Sequence, residues 1–348
     1  MLNDIVKPLT EWYRQNKRSL PWRDRHNAYY TWVSEIMLQQ TRVEAVKPYF
    51  RRFTEELPDP AALAECPEEK LLKLWEGLGY YNRVRNMQIA AQTVVEEYDG
   101  VLPASYEKLL SLKGIGSYTA GAIASIAYDI PVPAVDGNVL RVITRIIEDD
   151  GDIMKQSVKK RIENKLQEIM PGEYPGDFNQ ALMELGAVVC VPNGEPKCDV
   201  CPVAFCCGAR AHGTIDRFPV KAQKKDRKLE DRTVLVIQDG EKTAIRRRPS
   251  RGLLAGLYEF PNLKGHLSEE EVLESVKAMD LEPLRIEALP EAKHIFSHIE
   301  WRMTAYRVRV SSLEEIRQND LLFVGKRQSD DQYAIPSAFS AYTKYIRE

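Results

Sequence analysis

From Ile5 to about Met170, apolar residues recur at intervals of three and four, and Pro and Gly stop each run. This spacing predicts helices over residues 32–46, 68–75, 83–97, 117–127 and 139–147, with little two-residue alternation between them. Residues 216–228 carry no apolar period and hold six basic against two acidic side chains, which reads as an exposed linker. Beyond it the pattern changes. Residues 233–238 suit a strand, Asp239-Gly240 suits a hairpin turn, and residues 242–246 suit the returning strand. Residues 301–310 alternate, and 268–278 form one amphipathic helical run. The expected architecture is a mainly α domain over 1–215, a linker over 216–229 and a smaller α+β domain over 230–348, without internal repeats.

Length agrees, because 348 residues exceed one ordinary domain of about 150. A hydrophobic share of 44% with 29% charged residues excludes a disordered or fibrous chain. No apolar run approaches the roughly 18 residues of a membrane helix, and Met1-Leu2-Asn3-Asp4 leads into no signal-peptide core. A cytoplasmic protein without a membrane partner is therefore expected. Lys and Arg total 49 against 51 Asp and Glu, a net charge of −2. Any grip on phosphates must come from local patches or backbone amides.

Five of the six cysteines crowd into one stretch, a density that suits a metal site better than a disulfide framework in this context. Cys190, Cys198, Cys201 and Cys207 supply four thiolates, enough to complete the coordination of one 4Fe-4S cluster. A four-cysteine zinc site usually shows two close pairs, and only Cys198 and Cys201 make one. Cys206 stands beside Cys207 and leaves the fourth ligand open, with spacing favouring Cys207.

Leu112-Lys113-Gly114-Ile115-Gly116-Ser117 joins two helices through a glycine hairpin. Unpaired amides at the second helix start make Gly114, Gly116 and Ser117 a candidate phosphate seat, the alternative being an ordinary helical corner.

Glu35 has Trp32 and Leu38 as neighbours at helical spacing, so its carboxyl should lose solvation and hold a proton near neutral pH. Asp136 opens a helix, where capping and the dipole should favour its ionised form. Separately these read as a rim glutamate and a helix cap. Together they suggest one protonated and one charged carboxyl, the pairing that cleaves glycosidic bonds.

In order along the chain come Leu20-Pro21-Trp22-Arg23, Ser34-Glu35-Ile36-Met37-Leu38-Gln39-Gln40-Thr41, Gly77-Leu78-Gly79-Tyr80-Tyr81 and the glycine hairpin. Val135-Asp136-Gly137-Asn138-Val139, Phe178-Asn179-Gln180-Ala181-Leu182, the cysteines and Phe296-Ser297-His298 follow. Nearly end to end, the chain resembles the helix–hairpin–helix DNA glycosylases, and among them the MutY-type adenine DNA glycosylases. The resemblance implies monofunctional removal of adenine mispaired with 8-oxoguanine or guanine, by a monomer that extrudes the adenine from duplex DNA.

It further implies that Glu35 protonates adenine N7 and later assists water, while Asp136 stabilises the cationic sugar by charge or a transient covalent bond. Tyr118 and Asn138 support the sugar and the Asp136 carboxylate. Trp22, Arg23, Leu38 and Gln180 line the adenine pocket, and Gln40 and Tyr80 wedge into the stack. Where the strand-cleaving relatives carry a Schiff-base lysine, this chain has Tyr118, so strand cleavage is not expected; Lys113 is the remaining amine in the hairpin.

The second domain resembles a Nudix-like reader in which Phe296, Ser297 and His298 face 8-oxoguanine. Its helix, Ser268-Glu269-Glu270-Glu271-Val272-Leu273-Glu274, lacks the magnesium-binding run of the Nudix hydrolases. One departure from the family is the first cysteine gap, seven residues instead of six. Two other functions compete: a glycosylase of the same fold acting on thymine opposite guanine, and a non-enzymatic iron–sulfur DNA sensor.

Overall fold

The computed structural model of the chain describes residues 2–23, 27–222, 226–311 and 320–346. Met1 and, of the expected linker, Gln223, Lys224 and Lys225 lie outside the described residues. The chain forms two compact units, 1–66 with 82–223, and 67–81 with 224–348. Among the described residues no helix is long and apolar enough to cross a membrane.

The helices of the amino-terminal two thirds run α1 (Val6–Asn16), α2 (Ala28–Leu38), α3 (Val43–Glu56), α4 (Pro60–Glu65), α5 (Glu68–Leu74) and α6 (Asn82–Tyr98). They continue with α7 (Tyr106–Ser111), α8 (Ser117–Tyr128), α9 (Gly137–Ile147), α10 (Gln156–Gln167), α11 (Pro175–Val188) and α12 (Gly208–Ala211). All but α5 belong to the first unit. Side chains at the amino termini start several of them: Asn27, Asp59, Ser105 and Asp136 each accept a backbone N–H of the following turn. One core joins Leu9 and Tyr13 of α1 to Val139, Val142 and Ile143 of α9, Ile162 of α10 and Phe178, Leu182 and Leu185 of α11.

Two expectations need correction. The helix expected over 32–46 is two helices, broken between Leu38 and Val43. Gln40 turns the backbone left-handed, at φ 61°. Arg83 Nη1 holds the freed carbonyls of Ile36 and Gln39 at 2.6 and 2.7 Å. No Gly or Pro marks this break, so the apolar period runs through it unbroken. The linker is also less exposed than its composition implies. Phe218 is buried, its carbonyl accepts Arg145 Nε at 3.0 Å, and Val220 O accepts the Ile153 N–H. Lys228 and Leu229 belong to the first strand.

The second unit is built on β1 (Lys228–Asp239), β2 (Lys242–Arg247), β3 (Tyr258–Glu259), β4 (Asn262–Lys264), β5 (Pro283–Ile295), β6 (Ile299–Val310) and β7 (Leu321–Val324). The sheet path is β3-β2-β1-β6-β5, with β4 on β1 and β7 on β2. β1 and β6 are parallel, from Lys228 opposite Ile299 to Gln238 opposite Arg309. The remaining pairs are antiparallel. β1 is buried on both faces, which explains its unbroken apolar run. Val234 and Val236 meet Trp301, Phe260 and Phe339; Leu235 and Ile237 meet Val272 and Val276 of α13 (Glu269–Lys277). A capping box of Ser268 and Glu271 starts α13. The last helix, α14 (Lys326–Gln332), packs on α5, so the stretch Pro67–Tyr81 travels with the sheet although it lies between α4 and α6 in the chain.

Candidate active site

Glu35 sits in the third turn of α2, a helix buried nearly all round, and is only 6% exposed. Tyr118, the second residue of α8, donates its hydroxyl to Glu35 Oε2. Burial pushes the Glu35 carboxyl up to about 7; the Tyr118 hydroxyl and Arg23 oppose this, and the neighbouring Asp136 adds to it. The sequence expectation of a proton held near neutral pH therefore holds. The Tyr118 phenol is itself pushed well above its ordinary range by burial and then by Glu35, so it stays a donor.

Asp136 caps α9: Oδ1 accepts Val139 N–H at 2.8 Å and Oδ2 accepts Asn138 Nδ2 at 2.7 Å. Its ionised form was expected to be favoured outright. Instead burial lifts its pKa above the ordinary value, and the two donors and Arg141 only partly offset that. Asp136 has two donors on its carboxylate where Glu35 has one, so the negative charge is better supported at Asp136.

The approach to Asp136 is stapled by Asn179 of α11. Its Oδ1 accepts Ala134 N–H at 3.0 Å, and its Nδ2 donates to Val132 O and Ser125 Oγ. Gly121 of α8 packs directly on Pro133 O, where a Cβ would not fit. Asn138 is held in turn: its Oδ1 accepts Arg141 Nη2 at 2.9 Å, and Arg141 also binds Gly186 O and Cys190 O, both at 2.8 Å. A Cβ on Gly186 would lie 2.6 Å from the Asn138 Cβ. The chain from Cys190 through Arg141 and Asn138 to Asp136 is thus continuous.

Leu38, half-buried, ends α2, and Gln40 is exposed just beyond it. Trp22 is 7% exposed, its ring edge-on to Phe50 at 5.3 Å. Arg23 Nη2 binds Glu184 Oε2 at 2.7 Å and its Nη1 binds Arg18 O. Arg18 Nε binds the other Glu184 oxygen at 2.6 Å. Burial would raise the Glu184 pKa, but the two guanidiniums hold it down at about 2. The Gln180 amide turns back to Gly176 O at 3.3 Å. At the hairpin Gly114 adopts φ 79°, and Gly116 precedes α8 without a capping side chain. Ser117, part of the expected phosphate seat, donates its hydroxyl to Glu163.

Cys190, Cys198, Cys201 and Cys207 line one cavity with Val142, Ile146, Leu185 and Arg145, all as free thiols. Cys206 is not on that wall; its thiol points to Val203 O. Arg145 Nη1 donates to Cys190 Sγ at 3.2 Å. Among the described residues no three acidic, histidine or cysteine side chains converge on a single-ion position. The cysteines surround a volume with a cationic donor aimed at one sulfur, and this donor set fits a thiolate-ligated cluster.

In the second unit Phe296, Ser297 and His298 form the tip between β5 and β6. Phe296 stacks edge-on to Trp301 and His294, and Ser297 and His298 are exposed. Tyr80 is 49% exposed at φ 49°, with its Oη 3.1 Å from Ser297 Oγ.

The residues overlooked in the sequence are the buried ion partners. Glu184 stands between Leu182 and Leu185, and Arg141 and Arg145 stand one turn apart on a largely buried helix. A charge inside an apolar face was the available signal.

A helical body with a glycine hairpin, a buried acid beside a capped carboxylate and a four-cysteine cavity, joined to a Nudix-type sheet, defines the base-excision class. The profile of the "HhH-GPD superfamily base excision DNA repair protein" matches residues 33–171, and that of the NUDIX domain matches 233–345. Adenine DNA glycosylase of Mus musculus is 37% identical, covering 86% of this chain and 69% of the relative. That of Buchnera aphidicola subsp. Acyrthosiphon pisum is 32% identical, covering 87% and 86%. The chain spans 65% of the Homo sapiens relative. A thermostable thymine-DNA glycosylase shares the fold at TM-score 0.54 and 25% identity, over 60% of this chain and 96% of its own. A non-covalent endonuclease III–DNA complex does so at 0.52 and 24%, over 61% and 98%. The chain belongs to the adenine DNA glycosylase family.

Proposed function

We infer that the protein is a monofunctional DNA glycosylase of base excision repair that removes adenine, with 8-oxoguanine, or less readily guanine, as the opposing base. The observation that carries this reading is the pair formed by Glu35, protonatable near neutral pH, and Asp136, capped by two donors. Adenine leaves poorly as an anion. A proton delivered from Glu35 to N7 lets the C1′–N9 bond break with its electron pair leaving on a neutral base. The sugar is then cationic, and Asp136 is the adjacent negative charge. Water adds to C1′ and returns a proton to the Glu35 carboxylate. Tyr118 steadies Glu35 and, as a phenol, cannot itself form an imine with the sugar.

Arg23 and Trp22, fixed by Glu184 and Phe50, are the proposed walls for the extruded base, with Leu38 and Gln180. The α8 amides are the proposed phosphate seat. Cys190, Cys198, Cys201 and Cys207 are the proposed ligands of a 4Fe-4S cluster. When bound, such a cluster cross-links the polypeptide at four points, and here it would fix the Cys190 carbonyl on which Arg141 rests. Ser297 and Tyr80 are the proposed readers of the opposing base.

The test is base release from duplexes carrying A:8-oxoguanine, A:G, T:G and A:T, with and without alkali. Alkali-dependent breaks at adenine, fastest opposite 8-oxoguanine, are expected. Preferred release of thymine would overturn the adenine reading, and breaks without alkali would overturn the monofunctional one. Retained base release in both Glu35→Gln and Asp136→Asn would remove the proposed chemistry.

A further inference from the structure

Tyr80 is an exposed aromatic on a strained backbone, and its placement is built by three residues to which no role has been assigned. The turn before it is left-handed at Gly77 (φ 98°) and Gly79 (φ 70°), and Tyr80 itself has φ 49°. A non-glycine residue there costs energy and persists only where its surroundings hold it. Trp75, fully buried, donates its indole N–H to Gly79 O at 3.0 Å. Glu76 Oε1 accepts Ile335 N–H at 2.7 Å. Lys73 Nζ donates to Ser329 O at 3.2 Å and Tyr333 O at 3.0 Å, and pairs with Glu76 Oε2 at 2.7 Å. Glu69 and Arg247 add outer contacts. Every one of these ties lies within the unit of 67–81 and 224–348.

We propose that Lys73, Trp75 and Glu76 are positioning residues that mount Tyr80 on the same body as Ser297, so that the side chain entering the base stack and the one facing the opposing base act as a single reading element. This rests on the assignment of Tyr80 and Ser297 as readers of the opposing base. It follows that removing 224–348 takes away more than Ser297: it strips the anchorage of Lys73 and Glu76, and Tyr80 loses its hold.

The experiment uses the full-length protein and single-turnover adenine release from A:8-oxoguanine and A:G duplexes. The variants are Tyr80→Ala, Ser297→Ala, Trp75→Phe, Lys73→Met and Glu76→Ala, with Glu76→Gln as the conservative partner that retains an acceptor for Ile335 N–H. Losing one hydrogen bond to a charged group is worth about tenfold. Lys73→Met and Glu76→Ala should each lower the rate ratio between the two duplexes by roughly that factor. Trp75→Phe should do the same, and Glu76→Gln should restore most of the ratio, with release from A:G falling less than release from A:8-oxoguanine. Combining Lys73→Met with Tyr80→Ala should lower the ratio no further than Tyr80→Ala alone. Fluorescence of 2-aminopurine beside the lesion should fall in parallel, because the stack is less opened. An unchanged ratio in Lys73→Met and Trp75→Phe, with Tyr80→Ala and Ser297→Ala lowering it, overturns the anchoring alone. An unchanged ratio in Tyr80→Ala and Ser297→Ala overturns the anchoring together with the reading beneath it. Equal losses on both duplexes mark a merely structural role and also overturn it.

Discussion

Replacing Glu35 by glutamine should abolish base release and, at the same time, stabilise the protein in a pH-dependent way. The buried carboxyl titrates at about 7 in the folded protein against an ordinary value near 4.5. The difference of about 2.5 units corresponds to roughly 3 kcal/mol at 1.36 kcal/mol per unit. Its sign follows from the direction of the shift. Because the folded state binds the proton more tightly, the stability it contributes is fully present below pH 4.5 and is lost as pH rises through 7.

Glutamine does not titrate, and its amide oxygen can still accept the Tyr118 hydroxyl. The pH-independent cost of its unpaired amide hydrogens cancels when the two proteins are compared across pH. The advantage of Glu35→Gln over the parent should therefore grow by about 3 kcal/mol between pH 4.5 and 8. For a unit of this size that is roughly 6–12 °C in Tm. Thermal unfolding of both proteins at pH 4.5, 6 and 8, at one ionic strength, measures it. A Tm difference that stays constant across this range would refute the reasoning, because the carboxyl would then meet the same environment folded and unfolded.

Gly186→Ala should cut adenine release by about 10²-fold with little change in substrate binding, since its Cβ displaces Asn138 and hence Asp136; single-turnover rates and duplex affinity check this. Glu184→Ala leaves Arg18 and Arg23 without their shared buried partner and should cost about 3–5 kcal/mol in denaturant unfolding, with a raised KM for the adenine duplex. Cys206→Ser should purify brown with a full complement of iron, whereas Cys207→Ser should lose it; iron analysis and the visible spectrum decide, and stoichiometric zinc in the parent protein would contradict the cluster.

Much of this arrangement was legible in the residues. The glycine hairpin and the Asp136 cap are local devices, set by side chains within a few positions of the backbone they serve. The Glu35 environment could be read from α2 because its own helical neighbours are apolar and supply part of the burial. What stayed hidden depends on distant partners. The break after Leu38 is held by Arg83, forty-four positions beyond Gln39, so no stop signal stands in the local sequence. Burial around Asp136 comes from several elements at once, and it outweighs the capping that the local pattern suggested. β5 was missed because its solvated face carries long charged residues and its register shifts between Leu289 and Ala292, which blurs the two-residue period. The attachment of Pro67–Tyr81 to the sheet rests on hydrogen bonds spanning more than two hundred and fifty residues, beyond any window of periodicity.

Carboxyl ¹³C titration of Glu35 and Asp136, with a duplex containing a non-cleavable adenine analogue bound, bears most directly on the acid–carboxylate pair. With two donors on the Asp136 carboxylate against one on Glu35, the expected result is a Glu35 midpoint near 7 with Asp136 ionising first, so that a neutral acid and an anion coexist between the two. A Glu35 midpoint at the ordinary carboxylate value, or Asp136 still protonated where Glu35 has already ionised, would contradict the account.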